Sequence, residues 1–322
     1  METEPSSCSI HAPAKLNLHL SVGAARPDGF HNIESIFAAL SFGDDLYFSL
    51  SGEDGKFDLT LKKVPGTIFL GEDNLITRAV RLFREKTGFG RGIRCVLDKR
   101  IPLGAGLGGG SSDAASTLMA LNFLAKTGLS SDELCEMAAR LGSDVPFFLN
   151  AGVAWVTGRG EKIKALPALP DFSVLLVMPP IHSSTAEAFR LLDEEKKALL
   201  SGSSHTENSV KTDCRGVNEN TAGQILTEMS PKKWPFSNDF LPVLPDTKIY
   251  QGIIQNLVNN GALFAGLSGS GSCCFGVFGE EKFAVGVKNK IKSEIVIKNK
   301  ENPQNFIECT FFLASAAIPV LE

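Results

Sequence analysis

The part of the sequence with the clearest chemical meaning is a glycine-rich loop. Five glycines fall within the seven residues from Gly104 to Gly110, and two hydroxyl residues follow them. Glycine permits positive φ and lets backbone N–H groups approach an anion without a Cβ in the way. A helix that begins at this point adds unpaired N–H donors and the positive end of its dipole. We therefore predict a phosphate-binding loop that consists of Pro102, Leu103, Gly104, Ala105, Gly106, Leu107, Gly108, Gly109, Gly110, Ser111 and Ser112.

Other interpretations of this loop have less support. Gly104, Gly106 and Gly109 fit the G-x-G-x-x-G pattern of dinucleotide-binding folds. However, charged residues at 98–100 precede the pattern where a buried parallel strand would be apolar. The P-loop pattern G-x-x-x-x-G-K-S/T is absent from the chain. A flexible linker would not lead directly into a well-patterned helix.

The loop needs a strand before it and a helix after it, and the first half of the sequence predicts both. Alternating and periodic apolar residues predict strands at 15–22, 45–50, 57–61 and 93–97, and helices at 75–86 and 113–125. Ser130 and Glu133 have the spacing of a capping box, which predicts a further helix up to about Leu141. The stretch from Gly152 to Leu166 predicts a hairpin that turns at residues 158–160.

A second unit begins near residues 167–170. We predict a strand at 172–178, a helix at 185–200, a solvated polar loop at 201–220, a helix at 249–258, a second glycine-rich turn at 268–272, a helix at 281–291 and a strand at 306–316. Mixed strands and helices in two units favour an α+β architecture. The predicted domains are residues 1–168 and 169–322, with the last strand as an element that can return to the first domain.

Composition narrows the class of protein. The chain has 322 residues, 43% of them apolar, which is enough for a substantial core. A net charge of −4 with dispersed Lys and Arg gives no reason to expect a nucleic-acid or membrane partner. The polar N-terminus does not resemble a secretory signal, and no apolar run approaches the roughly 18 to 20 residues of a spanning helix. Seven scattered cysteines without a C-x-x-C pair favour a soluble protein of the reducing cytoplasm.

Four separated segments resemble the motifs of the GHMP kinase family. They are PAKLNL at 13–18, PLGAGLGGGSSDAA at 102–115, LGSDVPFF at 141–148 and LSGSGS at 267–272. They occur in the family's order and at its spacing, and together they span nearly the whole chain. DGFH at 28–31 and FSND at 236–239 are similar to segments of the members that phosphorylate CDP-methylerythritol in the non-mevalonate isoprenoid pathway.

This resemblance implies both a fold and a reaction. The fold would be α+β, with an N-terminal unit like ribosomal protein S5 domain 2, a ferredoxin-like C-terminal unit and the active site in the cleft between them. The reaction would move the γ-phosphoryl group of ATP to the 2-hydroxyl of CDP-methylerythritol. Mg²⁺ is expected with ATP, and because no acidic ligand stands out, Ser112 or bound water is the predicted ligand.

The resemblance also assigns two catalytic residues. Phosphoryl transfer needs a positioned hydroxyl, a group that accepts its proton, and positive charge near the phosphates. Asp144 matches the base, and Lys15 matches the family's catalytic lysine. Asp144 lies in an apolar, proline-containing segment where a carboxylate needs a partner, and Lys15 is expected to be that partner. Taken alone, Asp144 would also fit a turn or helix cap, and Lys15 a solvated strand end.

The same resemblance implies further site residues. The substrate-binding residues would be Asn17, Phe30, His31 and Phe189, and the residues next to the transferred phosphate would be Gly269 and Gly271. Asn238 and Asp239 match the family as well, although a helix cap would explain them equally. Phe189 would also fit a core aromatic residue, and His31 a loop histidine.

Two departures from the family pattern affect these assignments. Phe30 replaces the usual Tyr, which keeps the ring but removes the hydroxyl, and the interval between Phe189 and Phe236 is longer than expected. The alternatives are a family member that acts on homoserine, galactose or mevalonate, and a non-catalytic nucleotide-binding protein on the same fold. The retention of both Lys15 and Asp144 argues against the second alternative.

Overall fold

The first half of the chain forms a sheet covered by helices. A computed structural model describes residues 6–63, 73–150, 152–170, 172–201, 217–290 and 310–314. The strands of the first sheet are β1 (Ser7–Ala25), β2 (His31–Ser51), β3 (Phe57–Lys63), β4 (Gly92–Asp98), β5 (Val153–Gly158) and β6 (Lys162–Ala165). Their order is β3-β4-β2-β5-β6, and β1 pairs along β2. Only β3 and β4 are parallel among these pairs.

Four helices accompany this sheet. They are α1 (Leu75–Thr87), α2 (Gly109–Ala125), α3 (Ser131–Leu141) and the short α4 (Phe147–Asn150). The predicted capping box at the start of α3 is confirmed, because the Ser130 hydroxyl accepts from the Glu133 N–H while the Glu133 carboxylate accepts from the Ser130 N–H. Helix α2 follows Gly108, whose φ of 71° is in the left-handed region. The loop therefore turns sharply into the helix N-terminus.

The second half forms a four-stranded antiparallel sheet with its own helices. The strands are β7 (Ser173–Met178), β8 (Phe264–Leu267), β9 (Cys274–Phe278) and β10 (Thr310–Ala314), in the order β10-β7-β9-β8. The helices are α5 (Thr185–Leu200), α6 (Glu219–Glu228) and α7 (Thr247–Asn259), with a 3-10 turn at Pro231–Lys233. Residues 281–290 are also helical. Among the described helices, none is both long and apolar enough to cross a membrane.

The two sheets share a hydrophobic core. One cluster fills the space between the first sheet and helices α1 to α3, where Phe48 and Phe83 are fully buried. A second cluster joins the sheets, because it contains Leu16 and Ile36 of the first together with Phe275 of the second. This apolar contact fixes one half of the chain against the other, and the loops at its edge form the site.

The structure corrects several predicted boundaries. The strands predicted at 15–22 and 45–50 are parts of the much longer β1 and β2. Helix α6 was not predicted, and its first residues lie at the end of the stretch predicted as a polar loop. The rest of that stretch, 202–216, lies outside the described residues, as do the ends of the strand predicted at 306–316. Its described part, β10, pairs with β7 in the second sheet.

Candidate active site

A cavity of about 820 Å³ lies where the glycine-rich loop, strand β1 and the loops of the second half meet. Its wall takes residues from the first sheet, the start of α2, the turn before α4, the start of α5 and the glycine turn after β8. The wall therefore combines segments from both halves of the chain. The four segments that resemble the GHMP kinase motifs all contribute residues to this one cavity.

Strand β1 holds the glycine-rich loop and the second glycine turn in place. The pairing of β1 with β2 is irregular between Pro13 and Lys15, and there the Lys15 N–H donates to the carbonyl of Leu107 at 2.9 Å. Two residues later the Asn17 N–H donates to the Ser268 hydroxyl at 3.3 Å. A strand irregularity of this kind re-aims backbone groups and side chains next to a site.

The glycine-rich loop has no space for side chains at two positions. Gly106 has a φ of 73°, and a Cβ there would lie 2.2 Å from the carbonyl oxygen of Ser268. Gly108 has a φ of 71°, and a Cβ there would lie 2.9 Å from Phe148 and 3.0 Å from Lys15. Positive φ and close approach together require glycine. The loop consequently exposes backbone at the N-terminus of α2, where helical N–H groups have no partner within the helix.

The structure brings most of the predicted loop to the cavity wall. Every predicted loop residue except Ser112 lines the cavity. Ser112 is completely buried on α2, and its hydroxyl has no hydrogen-bond partner among the described residues. The role of Ser112 as an ion ligand stays a prediction, and its neighbour Ser111 is on the wall.

Lys15 and Asp144 meet in the cavity. The Nζ of Lys15 lies 3.6 Å from Oδ2 of Asp144, donates to Oδ1 of Asn17 at 2.6 Å, and stands 4.5 Å from the centre of the Phe37 ring. Lys15 is buried, whereas the Asp144 side chain is about one third exposed. Burial lowers the pKa of Lys15, and the charge and hydrogen bond of Asp144 oppose this shift in part.

Asn17 orients the lysine ammonium group. Its Nδ2 donates to the hydroxyl of Ser35 at 2.9 Å, and Ser35 in turn donates to the carbonyl of His19. This chain leaves the amide oxygen of Asn17 facing the Nζ of Lys15. Because all of these side chains are buried, the amide cannot easily rotate away from the ammonium group.

Three of the four predicted substrate residues, Phe30, His31 and Phe189, are aromatic side chains on the same wall. His31 stacks on Phe189 with 4.7 Å between ring centres, and its Nε2 is 2.9 Å from Oδ1 of Asp193 on α5. Phe30 is half exposed, and the guanidinium carbon of Arg159 lies 4.7 Å from its ring centre. Phe189 also meets the edge of a core ring, Phe240, so both interpretations of Phe189 have structural support.

The second glycine turn is braced by Asn238. Its Nδ2 donates to the carbonyls of Leu267 and Gly269, each at 2.8 Å. Gly269 lines the cavity, but Gly271 does not; a Cβ at Gly271 would lie 3.5 Å from the Tyr250 hydroxyl instead. The carboxylate of Asp239 accepts from the backbone of β1 at 2.8 Å rather than facing the cavity.

A cluster of buried charged side chains, which the sequence analysis did not predict, lies next to the glycine-rich loop. Lys99 contacts Asp44 at 2.5 Å and Asp113 at 2.7 Å, and all three side chains are almost fully buried. Burial raises the pKa of Asp113 to about 7 despite the opposing charge of Lys99. Burial alone would lower the pKa of Lys99, but the two carboxylates outweigh it and raise that pKa. A lysine two residues after an apolar strand is the signal in the sequence that could have drawn attention to this cluster.

Two protein-family models match parts of this chain. Residues 74–152 match the model of the GHMP kinases N terminal domain, and residues 247–297 match the model of the GHMP kinases C terminal domain. The chain is 37% identical to a curated relative over 84% of its own length and 89% of that relative. The chain therefore belongs to the GHMP kinase family, and the two-domain GHMP kinase fold is confirmed.

The curated relatives within this family carry a narrower name. The relative just cited, from Prosthecochloris aestuarii, is a 4-diphosphocytidyl-2-C-methyl-D-erythritol kinase. The same name belongs to a relative from Enterococcus faecalis that is 38% identical over 82% of this chain and 87% of that protein.

Two solved structures are similar to this chain along almost its whole length. A crystal structure of 4-(cytidine 5'-diphospho)-2C-methyl-D-erythritol kinase aligns with a TM-score of 0.71 and 29% identity, covering 96% of this chain and all of that one. A homoserine kinase from Cytophaga hutchinsonii aligns with a TM-score of 0.69 at 17% identity, over 100% of this chain and 99% of that one. The second similarity shows only the shared fold.

Proposed function

We propose that this chain transfers the γ-phosphoryl group of ATP to the 2-hydroxyl of 4-diphosphocytidyl-2-C-methyl-D-erythritol, giving the 2-phosphate and ADP. The observation that carries the proposal is the Lys15–Asp144 pair, which lies on the wall of the same cavity as the glycine-rich loop. The relatives that cover most of this chain support the same acceptor. The reaction belongs to isoprenoid precursor synthesis, and we place it in the cytoplasm.

The loop and helix α2 supply the binding site for the nucleotide phosphates. Positive φ at Gly104, Gly106 and Gly108 would let backbone N–H groups of the loop turn toward a bound phosphate, as in an anion-binding nest. The N-terminus of α2 adds a partial positive charge of about half a unit at the same place. Phosphate binding would therefore rely on the backbone, which cannot rotate away.

Asp144 and Lys15 would divide the chemistry between them. Asp144 is open to the cavity and can accept the proton of an acceptor hydroxyl within hydrogen-bond distance. Lys15 is fixed by Asn17 and buried, so its charge acts in a medium that screens it less than water does. Its ammonium group would stabilise the negative charge that develops on the transferred phosphoryl oxygens.

Mg²⁺ would be held mainly by the nucleotide. Among the described residues, no three His, Cys, Asp or Glu side chains gather in an arrangement that could hold an ion. Mg²⁺ is commonly bound through one or two protein ligands together with phosphates and water. The Ser111 hydroxyl on this wall would suit the ion as a ligand. When bound, the ion would neutralise phosphate charge.

The aromatic residues would bind the cytidine end of the acceptor. A pyrimidine ring can stack on Phe30, Phe189 or His31, all of which line the cavity. His31 is kept in its orientation by Asp193. Loss of the usual tyrosine hydroxyl at Phe30 leaves the stacking surface intact, so recognition at that position would depend on the ring.

A panel of acceptor alcohols tests the proposal. Purified protein with ATP and Mg²⁺ should release ADP only when 4-diphosphocytidyl-2-C-methyl-D-erythritol is added, and ³¹P NMR should show a new phosphomonoester on that compound. Homoserine, mevalonate and galactose serve as controls, since they represent the other acceptors of this family. Equal turnover with any of them would overturn the assignment of the acceptor, and ADP release without an acceptor would indicate a simple ATPase.

A further inference from the structure

The basic side chains on the cavity wall differ in whether a carboxylate neutralises them. Three contact an acidic partner: Lys15 with Asp144, Lys99 with Asp44 and Asp113, and His31 with Asp193. The fourth is Arg159, whose guanidinium group has no ion pair among the residues that the structure describes. Its backbone N–H donates to the carboxylate of Glu161 at 2.6 Å. The wall therefore presents one cationic side chain that no carboxylate contacts directly.

Arg159 is aimed at the cavity by its turn and by an aromatic ring. It forms the tip of the β5–β6 hairpin between Gly158 and Gly160, whose φ values are 73° and 121°. Its guanidinium carbon lies 4.7 Å from the centre of the Phe30 ring. A guanidinium group that lies over an aromatic ring can keep N–H donors available to a ligand.

The hairpin tip lies between the two parts of the site that an acceptor must span. On one side Arg159 contacts Phe30, which precedes His31 in the aromatic group. On the other side Gly160 packs against the turn that contains Asp144, because a Cβ at Gly160 would lie 3.4 Å from Oδ1 of Asp144. A ligand with its pyrimidine on the aromatic residues and its hydroxyl at Asp144 must pass this tip with the group that connects them.

We propose that Arg159 binds the diphosphate group of the acceptor and determines the preference for a nucleoside-diphosphate ester. This inference rests on the proposed function, since a diphosphate joins the cytidine to the alcohol in that acceptor. Arg forms paired, charge-assisted hydrogen bonds with phosphate oxygens, which a single point charge reproduces less well. The phosphates of ATP already have the loop and the N-terminus of α2, so Arg159 serves the second substrate.

Steady-state kinetics on the full chain test the role of Arg159. Arg159→Met keeps much of the length but removes the charge, and it should raise the KM for the cytidyl acceptor about tenfold while kcat and the KM for ATP stay within about twofold. Arg159→Lys should recover part of the loss. Arg140→Met is the matched control, because Arg140 is an exposed arginine on α3 away from the cavity wall.

A binding measurement separates charge from stacking. In isothermal titration, wild-type protein should bind CDP more tightly than cytidine, and Arg159→Met should lose about tenfold in affinity for CDP but little for cytidine. Equal losses for both would mean that Arg159 acts only by supporting the Phe30 ring, and no loss would mean that it does not contact the ligand. A raised KM for ATP would assign it to the nucleotide, and each of these results overturns the inference.

The proposed function can fail separately. If wild-type protein does not phosphorylate the cytidyl acceptor, the proposed function is wrong and this inference falls with it, before any substitution is compared. If wild-type protein is active and Arg159→Met matches it in every constant, only the role of Arg159 is wrong.

Discussion

The Nζ of Lys15 lies 3.6 Å from Oδ2 of Asp144, and the two side chains differ sharply in exposure, 5% against 32%. The carboxylate can therefore meet a substrate hydroxyl, whereas the ammonium group is enclosed and held by Asn17. In the proposed mechanism, this difference separates a group that would exchange a proton with the substrate from a group that would supply fixed charge.

Asp144→Asn should lower kcat by about 10² to 10⁴, the range typical of a lost general base. The KM for ATP should change no more than a few-fold, because the loop and α2 remain intact. Asp132→Asn, an exposed aspartate in the first turn of α3, is the matched control and should keep full activity. Retained turnover in Asp144→Asn would mean that another group accepts the proton.

The pH dependence of kcat should reveal the buried lysine. Burial lowers the pKa of Lys15 from its ordinary value of 10.5. Because the charged form is the useful one, kcat should be highest below the lowered pKa and fall as pH rises through it. The alkaline limb should thus appear below pH 10.5, while circular dichroism shows a folded chain. A kcat that stays flat up to that pH would contradict the assigned role.

Local sequence patterns were enough to predict the loop and its helix. Glycine spacing predicted the turn at Gly104–Gly110, and the Ser130–Glu133 spacing predicted the start of α3, because both depend on residues that are neighbours along the chain. The Lys15–Asp144 pair was predicted only through the order of the family motifs. Nothing local to either residue indicates that the irregularity of β1 and the turn before α4 bring them together.

The contacts that sequence reasoning missed are long-range. The sequence indicates Arg159 only as part of a hairpin turn, because its contact with Phe30 depends on how that hairpin lies beside the start of β2. Lys99 appeared as a charged residue at a strand end, but tertiary packing places it between two buried carboxylates. Helix α6 begins at the end of a polar stretch, and its cap residue, Asn218, is also typical of a loop.

Gly106→Ala and Gly104→Ala form a matched pair that separates backbone strain from close approach. Both glycines have positive φ, 73° and 66°, so either substitution should cost about 1 kcal/mol or more of unfolding free energy. At Gly104 the nearest contact of a new Cβ is 3.8 Å away, whereas at Gly106 the carbonyl oxygen of Ser268 is at 2.2 Å. Gly106→Ala should therefore also raise the KM for ATP, as the loop and the second glycine turn move apart. Equal losses in both variants would mean that the close contact is unimportant.

Lys99→Met should be among the most destabilising single changes in this chain. It would leave Asp44 and Asp113 buried without their cation, and the loss of one partner from a buried ion pair typically costs about 3 to 5 kcal/mol. Lys62→Met is the control, because Lys62 is half exposed and pairs with Asp98 at 3.4 Å, so its loss should cost less than about 1 kcal/mol. Urea unfolding measures both, and similar midpoints would contradict the role of the cluster.

Asp113 should make the stability of the chain depend on pH. Its pKa is raised by burial from 3.8 to about 7, so between these values the folded chain holds a proton that the unfolded chain has released. The contribution of this group to the free energy of unfolding must therefore fall as pH rises from about 4 to about 7, and then level off.

Asp113→Asn keeps an oxygen acceptor for Lys99 but cannot ionise, so it should gain stability relative to wild type across that range. Urea unfolding of both proteins at several pH values isolates the effect, because the other titrating groups are common to both. A difference between the two that does not change with pH would show that Asp113 titrates alike in the folded and unfolded chains, so that burial does not raise its pKa.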